Sequence, residues 1–90
     1  MIALTARQQE VFAFVAEYIT TNKIAPTRRE IAAGVGLSSV GTTNDMVGRL
    51  VDRGWLYFTP NGGRNIAITE EALAAMLAPQ AELKRERATR

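Results

Sequence analysis

One short stretch, "SSVGTTNDMVGRL" at residues 38–50, gathers side chains suited to reading a nucleic-acid base edge: Ser39, Thr42, Asn44, Asp45 and Arg49. An Asn can make two hydrogen bonds to an adenine, and a Thr can touch a thymine methyl or donate to an acceptor. Asp45 can accept from a cytosine but repels a nearby phosphate. Gly41 adds bare backbone beside them, and free N–H groups near Ser39 to Gly41 suit a phosphate if a helix starts there. The plainer alternative is a solvated polar face with an ordinary cap. A second set of groups carries charge for a phosphate backbone: Thr27 and Arg28, then Arg7 and Arg53, and Arg64 within the glycine-rich "NGGRN". Of the first-named cations Arg28 is the leading candidate. Arg64 on a flexible tip fits a backbone or minor-groove probe. For Arg7 and Arg53, a solvated surface charge is the competing reading.

Other chemistry is poorly supplied. The 90 residues contain neither cysteine nor histidine. That removes thiol nucleophiles, disulfides, thiolate metal sites and the commonest general base and neutral metal ligand. The remaining carboxylates are scattered, so neither an enzyme, a bound metal nor a cofactor is expected, and no small-molecule ligand is evident. No apolar run approaches the roughly 18 residues of a membrane span. The N-terminus "MIALTARQQE" lacks the charged-then-apolar order of a signal peptide. A cytoplasmic, nucleoid-associated protein is the expectation. The net charge is +2, and all of the excess lies in residues 1–69, where seven basic side chains face five acidic ones.

The positions of these groups depend on the elements that carry them. "TARQ" opens a first helix, roughly 6–21, with Thr5 as cap and Gln8 closing a capping box. Val11, Phe12, Val15, Tyr18 and Ile19 recur on one face of it. "PTRRE" repeats the pattern: Thr27 caps and Glu30 closes a second box, giving a short helix over 28–35 that ends at Gly36. After a tight turn at Leu37 and Ser38, Ser39 caps a third helix over 40–53. Its Val40, Thr43, Val47, Leu50 and Val51 point mainly inward, and Gly54 closes it. This third helix is built of poor helix formers, so packing must hold it. Two short helices joined by a tight turn make a helix-turn-helix. "WLYFT" and "IAIT" then read as strands around the "PNGGRN" turn. Phe12 reads as core, and one face of the first strand, Trp55 and Tyr57 or Leu56 and Phe58, must be partly exposed unless something covers it. "TEEALAAMLAPQ" is a fourth helix, capped by Thr69, with Leu73, Met76 and Leu77 forming an apolar stripe. The fold class expected is mainly α with a small β-hairpin: a winged helix-turn-helix, three helices plus wing, with an extra C-terminal helix.

"ALTARQQEVF", "PTRREIA", the helix ends at Gly36 and Gly54 and the "GR" of the wing resemble the N-terminal domain of the LexA repressor over roughly residues 1–69. Residues 70–90, a helix and charged tail, do not carry that resemblance. The resemblance implies a DNA-binding repressor whose third helix enters the major groove and whose wing contacts the backbone and minor groove. It does not imply the family's self-cleavage, which needs a further domain with a serine nucleophile and a lysine base. The Ala33-Gly34 pair, like the family's cleavage dipeptide, lies within a predicted helix. Where the family's reading helix typically runs Asn-Ala-Ala-Glu-Glu, residues 41–45 run Gly-Thr-Thr-Asn-Asp, so the family's operator is not carried over. The family also dimerises through its other domain. Leu73, Met76 and Leu77 therefore have two readings, packing on their own domain or forming a homodimer. The expected function is sequence-specific double-stranded DNA binding in transcriptional regulation, as a repressor. The alternative is a winged-helix protein-interaction adaptor, for example a phage or plasmid protein binding a host repressor or polymerase.

Overall fold

A computed structural model describes residues 2–76 of the 90-residue chain. Helix α1 spans Ala6–Asn22. It opens on a closed capping box: the Thr5 hydroxyl accepts from the Gln8 N–H at 3.2 Å, and the Gln8 carboxamide oxygen accepts from the Thr5 N–H at 3.0 Å. This second bond lets Gln8 lie buried without an unpaired oxygen. Helix α2 spans Arg28–Val35 with the same box built from Thr27 and Glu30, and it ends at Gly36 with φ +72°. Helix α3 spans Val40–Asp52, its first turn capped by the Ser39 hydroxyl, which accepts from the Thr42 N–H at 3.1 Å. The predicted ranges thus hold to within a residue, because each start is set by a side-chain cap written in adjacent residues and α2 ends at a glycine.

The chain then leaves through Gly54 and forms an antiparallel hairpin. Strands β1 (Leu56–Phe58) and β2 (Ile66–Ile68) pair with Leu56 opposite Ile68 and Phe58 opposite Ile66. A short 3-10 turn over Gly62–Arg64 forms the tip. Residues 70–76 are helical (α4), and the Thr69 hydroxyl accepts from the Ala72 N–H at 3.1 Å. Three helices, a wing and a following helix make a winged helix.

One core unites these elements. Val11, Phe12 and Val15 of α1 meet Ile31 of α2, Val47 and Leu50 of α3, Leu56 and Ile66 of the hairpin, and Ala72 of α4. Trp55 packs edge-on against Phe12, centroids 5.1 Å apart, and its indole N–H donates to the Ile2 carbonyl at 2.7 Å. Helix α3 is held by this packing. Gly41 and Gly48 each cost about 1 kcal/mol of helix propensity relative to Ala, while burying Val47 and Leu50 contributes about 1.5–3 kcal/mol each.

Two packing expectations change. Val40 was expected inward but is 40% exposed, because as the first residue of α3 it overhangs the core that Thr43, Val47 and Leu50 enter. Tyr57 and Phe58 are both about half exposed, so the outer part of β1 is open on both faces and the hairpin is held to the core through Leu56 and, on β2, Ile66. Gly34 has an unforeseen role. A Cβ there would lie 2.1 Å from Cε2 of Phe14, so the ring of Phe14 lies directly on α2 backbone. Among the described residues, no helix is long and apolar enough to cross a membrane, and no three His, Cys, Asp or Glu side chains cluster to hold a metal.

Candidate nucleic-acid interface

The buried residues of α3 all lie on one side: Thr43, Val47 and Leu50 recur three or four residues apart. Gly41, Thr42, Asn44, Asp45 and Arg49 are exposed. Asn44, Asp45, Gly48, Arg49 and Asp52 line one shallow polar depression. A Cβ at Gly48 would meet nothing within 4 Å, so the backbone is open to an approaching surface there. These residues therefore form one exposed polar strip along α3. Its charge is mixed, with Asp45 and Asp52 flanking the one cation, Arg49.

Two of the hydroxyls nominated in the sequence are occupied. The Ser39 hydroxyl caps α3 and donates to the Thr42 hydroxyl at 2.9 Å. The Thr27 hydroxyl accepts from the Glu30 N–H at 3.2 Å. Both shape helix starts.

The arginines are redistributed. Arg64 was expected to project from the tip as a free probe. Instead its guanidinium turns back across the α1–α2 junction, donating to the Ala25 carbonyl at 2.8 Å and to Glu30 Oε1 at 2.7 Å. The carboxylate and carbonyl lie within reach of the tip and give the guanidinium fixed acceptors. Glu30 also receives the Tyr18 hydroxyl at 2.8 Å and, through its capping bond, the Thr27 N–H at 2.7 Å. The Thr27 backbone N–H, then Arg64 and Tyr18, hold the Glu30 carboxyl down at about 2. The Arg64 guanidinium is pushed the other way, above its ordinary value, by Glu30 and then Tyr18.

Arg28, the leading backbone candidate, is likewise turned inward. Its Nη2 donates to Asn65 Oδ1 at 2.8 Å, while Nε and Nη1 are shielded from solvent without a partner. That burial lowers its pKa. A group so enclosed holds the wing and does not present its fork to a phosphate. Arg7 pairs with Glu10 one turn along α1, in an exposed pair of little energetic weight. Arg53 donates weakly to the Ala3 carbonyl at 3.5 Å, and its own carbonyl accepts from the Ile2 N–H. Arg28 and Arg64 are thus brought together at the junction of α2 and the wing. Arg7 and Arg53 are engaged elsewhere.

Sequence reading missed Glu30, Tyr18 and Asn65 as wing anchors. Glu30 carried a signal only for its local capping role, because its partner stands 34 positions away. The dimerisation candidates divide: Leu73 and Met76 are 44% and 40% exposed on α4, and Leu77 lies outside the described residues.

Comparison with known proteins gives a consistent picture. The family described as LexA DNA binding domain matches residues 1–65. The LexA repressor of Koribacter versatilis (strain Ellin345) is 34% identical over 88 residues, 98% of this chain and 38% of that protein. The LexA repressor of Glaesserella parasuis serovar 5 (strain SH0165) is 38% identical over 72 residues, 80% of this chain and 34% of that protein. The chain spans little more than a third of these curated relatives. An 88-residue alignment also runs past position 69, where the resemblance was expected to stop.

Proposed function

Since the chain belongs to the LexA DNA-binding domain family, we propose that it binds double-stranded DNA sequence-specifically and represses transcription by occupying a promoter. Residues 1–69 would form the binding unit and 70–90 an extension that joins two copies. The observation that carries the reading is the α3 strip. Asn44, Asp45 and Arg49 stand exposed beside the bare backbone of Gly48, on a helix fixed from behind by Thr43, Val47 and Leu50. A helix so held can enter a major groove with its polar side toward the bases. Thr42 and Asn44 then offer base contacts, Arg49 a base or phosphate contact, and the wing a backbone or minor-groove contact. Such a protein works in the cytoplasm on the nucleoid, and occupancy needs no self-cleavage.

A single winged helix reads a short site, and paired half-sites add affinity. Exposed Leu73 and Met76 on α4 support a homodimer through this helix. Selection of bound sites from random duplex DNA, with the mass of the complex from light scattering, tests both points. Enrichment of an inverted or direct repeat with a two-copy complex is the expected result. A one-copy complex on a single half-site removes the dimer and leaves DNA binding intact.

One observation favours a second reading, a winged-helix adaptor for another protein: the reading strip has two carboxylates around one guanidinium. Absence of any shift of mixed duplex DNA at low salt, together with capture of a purified host repressor or polymerase, would decide for it.

A further inference from the structure

Two polar ties join the first turn of α2 to the tip of the hairpin. Arg28, the first residue of α2, donates to Asn65, and Glu30, two residues on, accepts from Arg64. Consecutive wing residues are therefore gripped by one helix turn. Glu30 is the centre of the arrangement. Its two oxygens receive the Thr27 N–H, the Tyr18 hydroxyl and both terminal nitrogens of Arg64, the longer Arg64 bond being 3.3 Å. Side chains of α1, α2 and the wing thus converge on one carboxylate. Both charged groups remain about one-third exposed, so water screens the pair and it fixes geometry more than it adds stability. Apart from Leu56 and Ile66, which enter the core, the wing rests on three paired residues per strand, with Tyr57 and Phe58 exposed.

We infer that Glu30 is a positioning residue for DNA binding, holding the wing through Arg64 in a set place relative to the α2–α3 unit. The inference rests on the DNA-binding reading of this face. It yields a sign opposite to simple electrostatics. An acidic side chain near a polyanion repels it, so neutralising Glu30 should tighten binding if charge were its only effect. As an anchor, its neutralisation loosens the wing, and ordering that segment must then be supplied on binding.

Glu30→Gln is the appropriate variant, because glutamine at this position still closes a capping box. Its affinity for a duplex selected by the wild-type protein should fall about tenfold. Amide exchange should quicken at Arg64 and Thr59, whose N–H groups are bonded within the hairpin, and stay unchanged at Val15 of α1. Arg64→Lys should fall in the same direction, since an ammonium keeps the charge but cannot fork between Glu30 and the Ala25 carbonyl. Equal or tighter binding by a folded Glu30→Gln protein would overturn the inference, as would a fall in affinity with exchange quickened throughout α1. A wild-type protein that binds no duplex would instead sink the DNA-binding reading, while the exchange comparison would still report on the anchor.

Discussion

The Arg64 guanidinium lies 2.7 Å from the Glu30 carboxylate, bridging the hairpin tip to the start of α2 across 34 positions of sequence. This contact makes the wing sensitive to acid, because a protonated Glu30 no longer holds Arg64 as an ion pair. Glu30 is held at about 2 by Thr27, Arg64 and Tyr18, below its ordinary value near 4.3 in an unfolded chain. A depressed carboxylate contributes stability above its unfolded pKa and loses it as pH falls through the folded value. Wing anchoring should be complete above about pH 5 and fade between about 4.3 and about 2. Carbon-detected titration of the Glu30 carboxyl, followed with wing amide exchange, checks this. A midpoint near 4.3 would show that the carboxylate is not held.

Asn44 and Arg49 should separate base reading from phosphate attraction. Replacing Asn44 with Ala should change which site is selected, with a discrimination loss of about 1–3 kcal/mol at one base pair. Replacing Arg49 with Ala should weaken binding to every sequence and reduce the salt slope by about 1 if its partner is a phosphate. Binding isotherms at several salt concentrations, on the selected site and on single-base variants, distinguish the two. An Asn44→Ala protein with wild-type preference at every base pair would remove Asn44 from the reading face.

Gly48 should trade stability against binding. A Cβ there meets nothing within 4 Å, so Gly48→Ala should stabilise α3 by up to about 1 kcal/mol in thermal denaturation. The same methyl stands beside Asn44 and Arg49 and would hold a docked surface away. A higher melting temperature with weaker DNA binding is expected. Unchanged affinity would mean that the backbone at this point does not approach the duplex.

Gly34 should behave in the opposite way although it too is a helical glycine. An added Cβ would meet the Phe14 ring at 2.1 Å, which outweighs the gain in helix propensity. Gly34→Ala should cost about 1–3 kcal/mol, the scale of overpacking. Adding Phe14→Leu, which removes the ring edge, should recover part of that loss. A stabilising Gly34→Ala would show that the ring moves aside freely.

These contrasts mark what a linear reading reaches. The starts of α1, α2 and α3 were legible because Thr5 with Gln8, Thr27 with Glu30, and Ser39 each write their cap within three residues. The inward stripe of Thr43, Val47 and Leu50 was legible from helical period alone. The fates of Arg28 and Arg64 were not, since a charged side chain near a turn reads as solvated until its distant acceptor is known. Gly34 gave no signal because its reason is a ring from another helix. Val40 belonged to the right period but stood at the end of its helix, where the core had already run out.

The one-sided burial of α3 has a consequence for how such a protein can vary. Anchoring is assigned to Thr43, Val47 and Leu50, and the exposed positions around Asn44 and Arg49 contribute nothing to the core. Under the proposed function, reading and folding would therefore occupy different residues of one helix. The scaffold would then act as a mount for an exchangeable outer face, on which a new preference could be written without re-solving the packing beneath it.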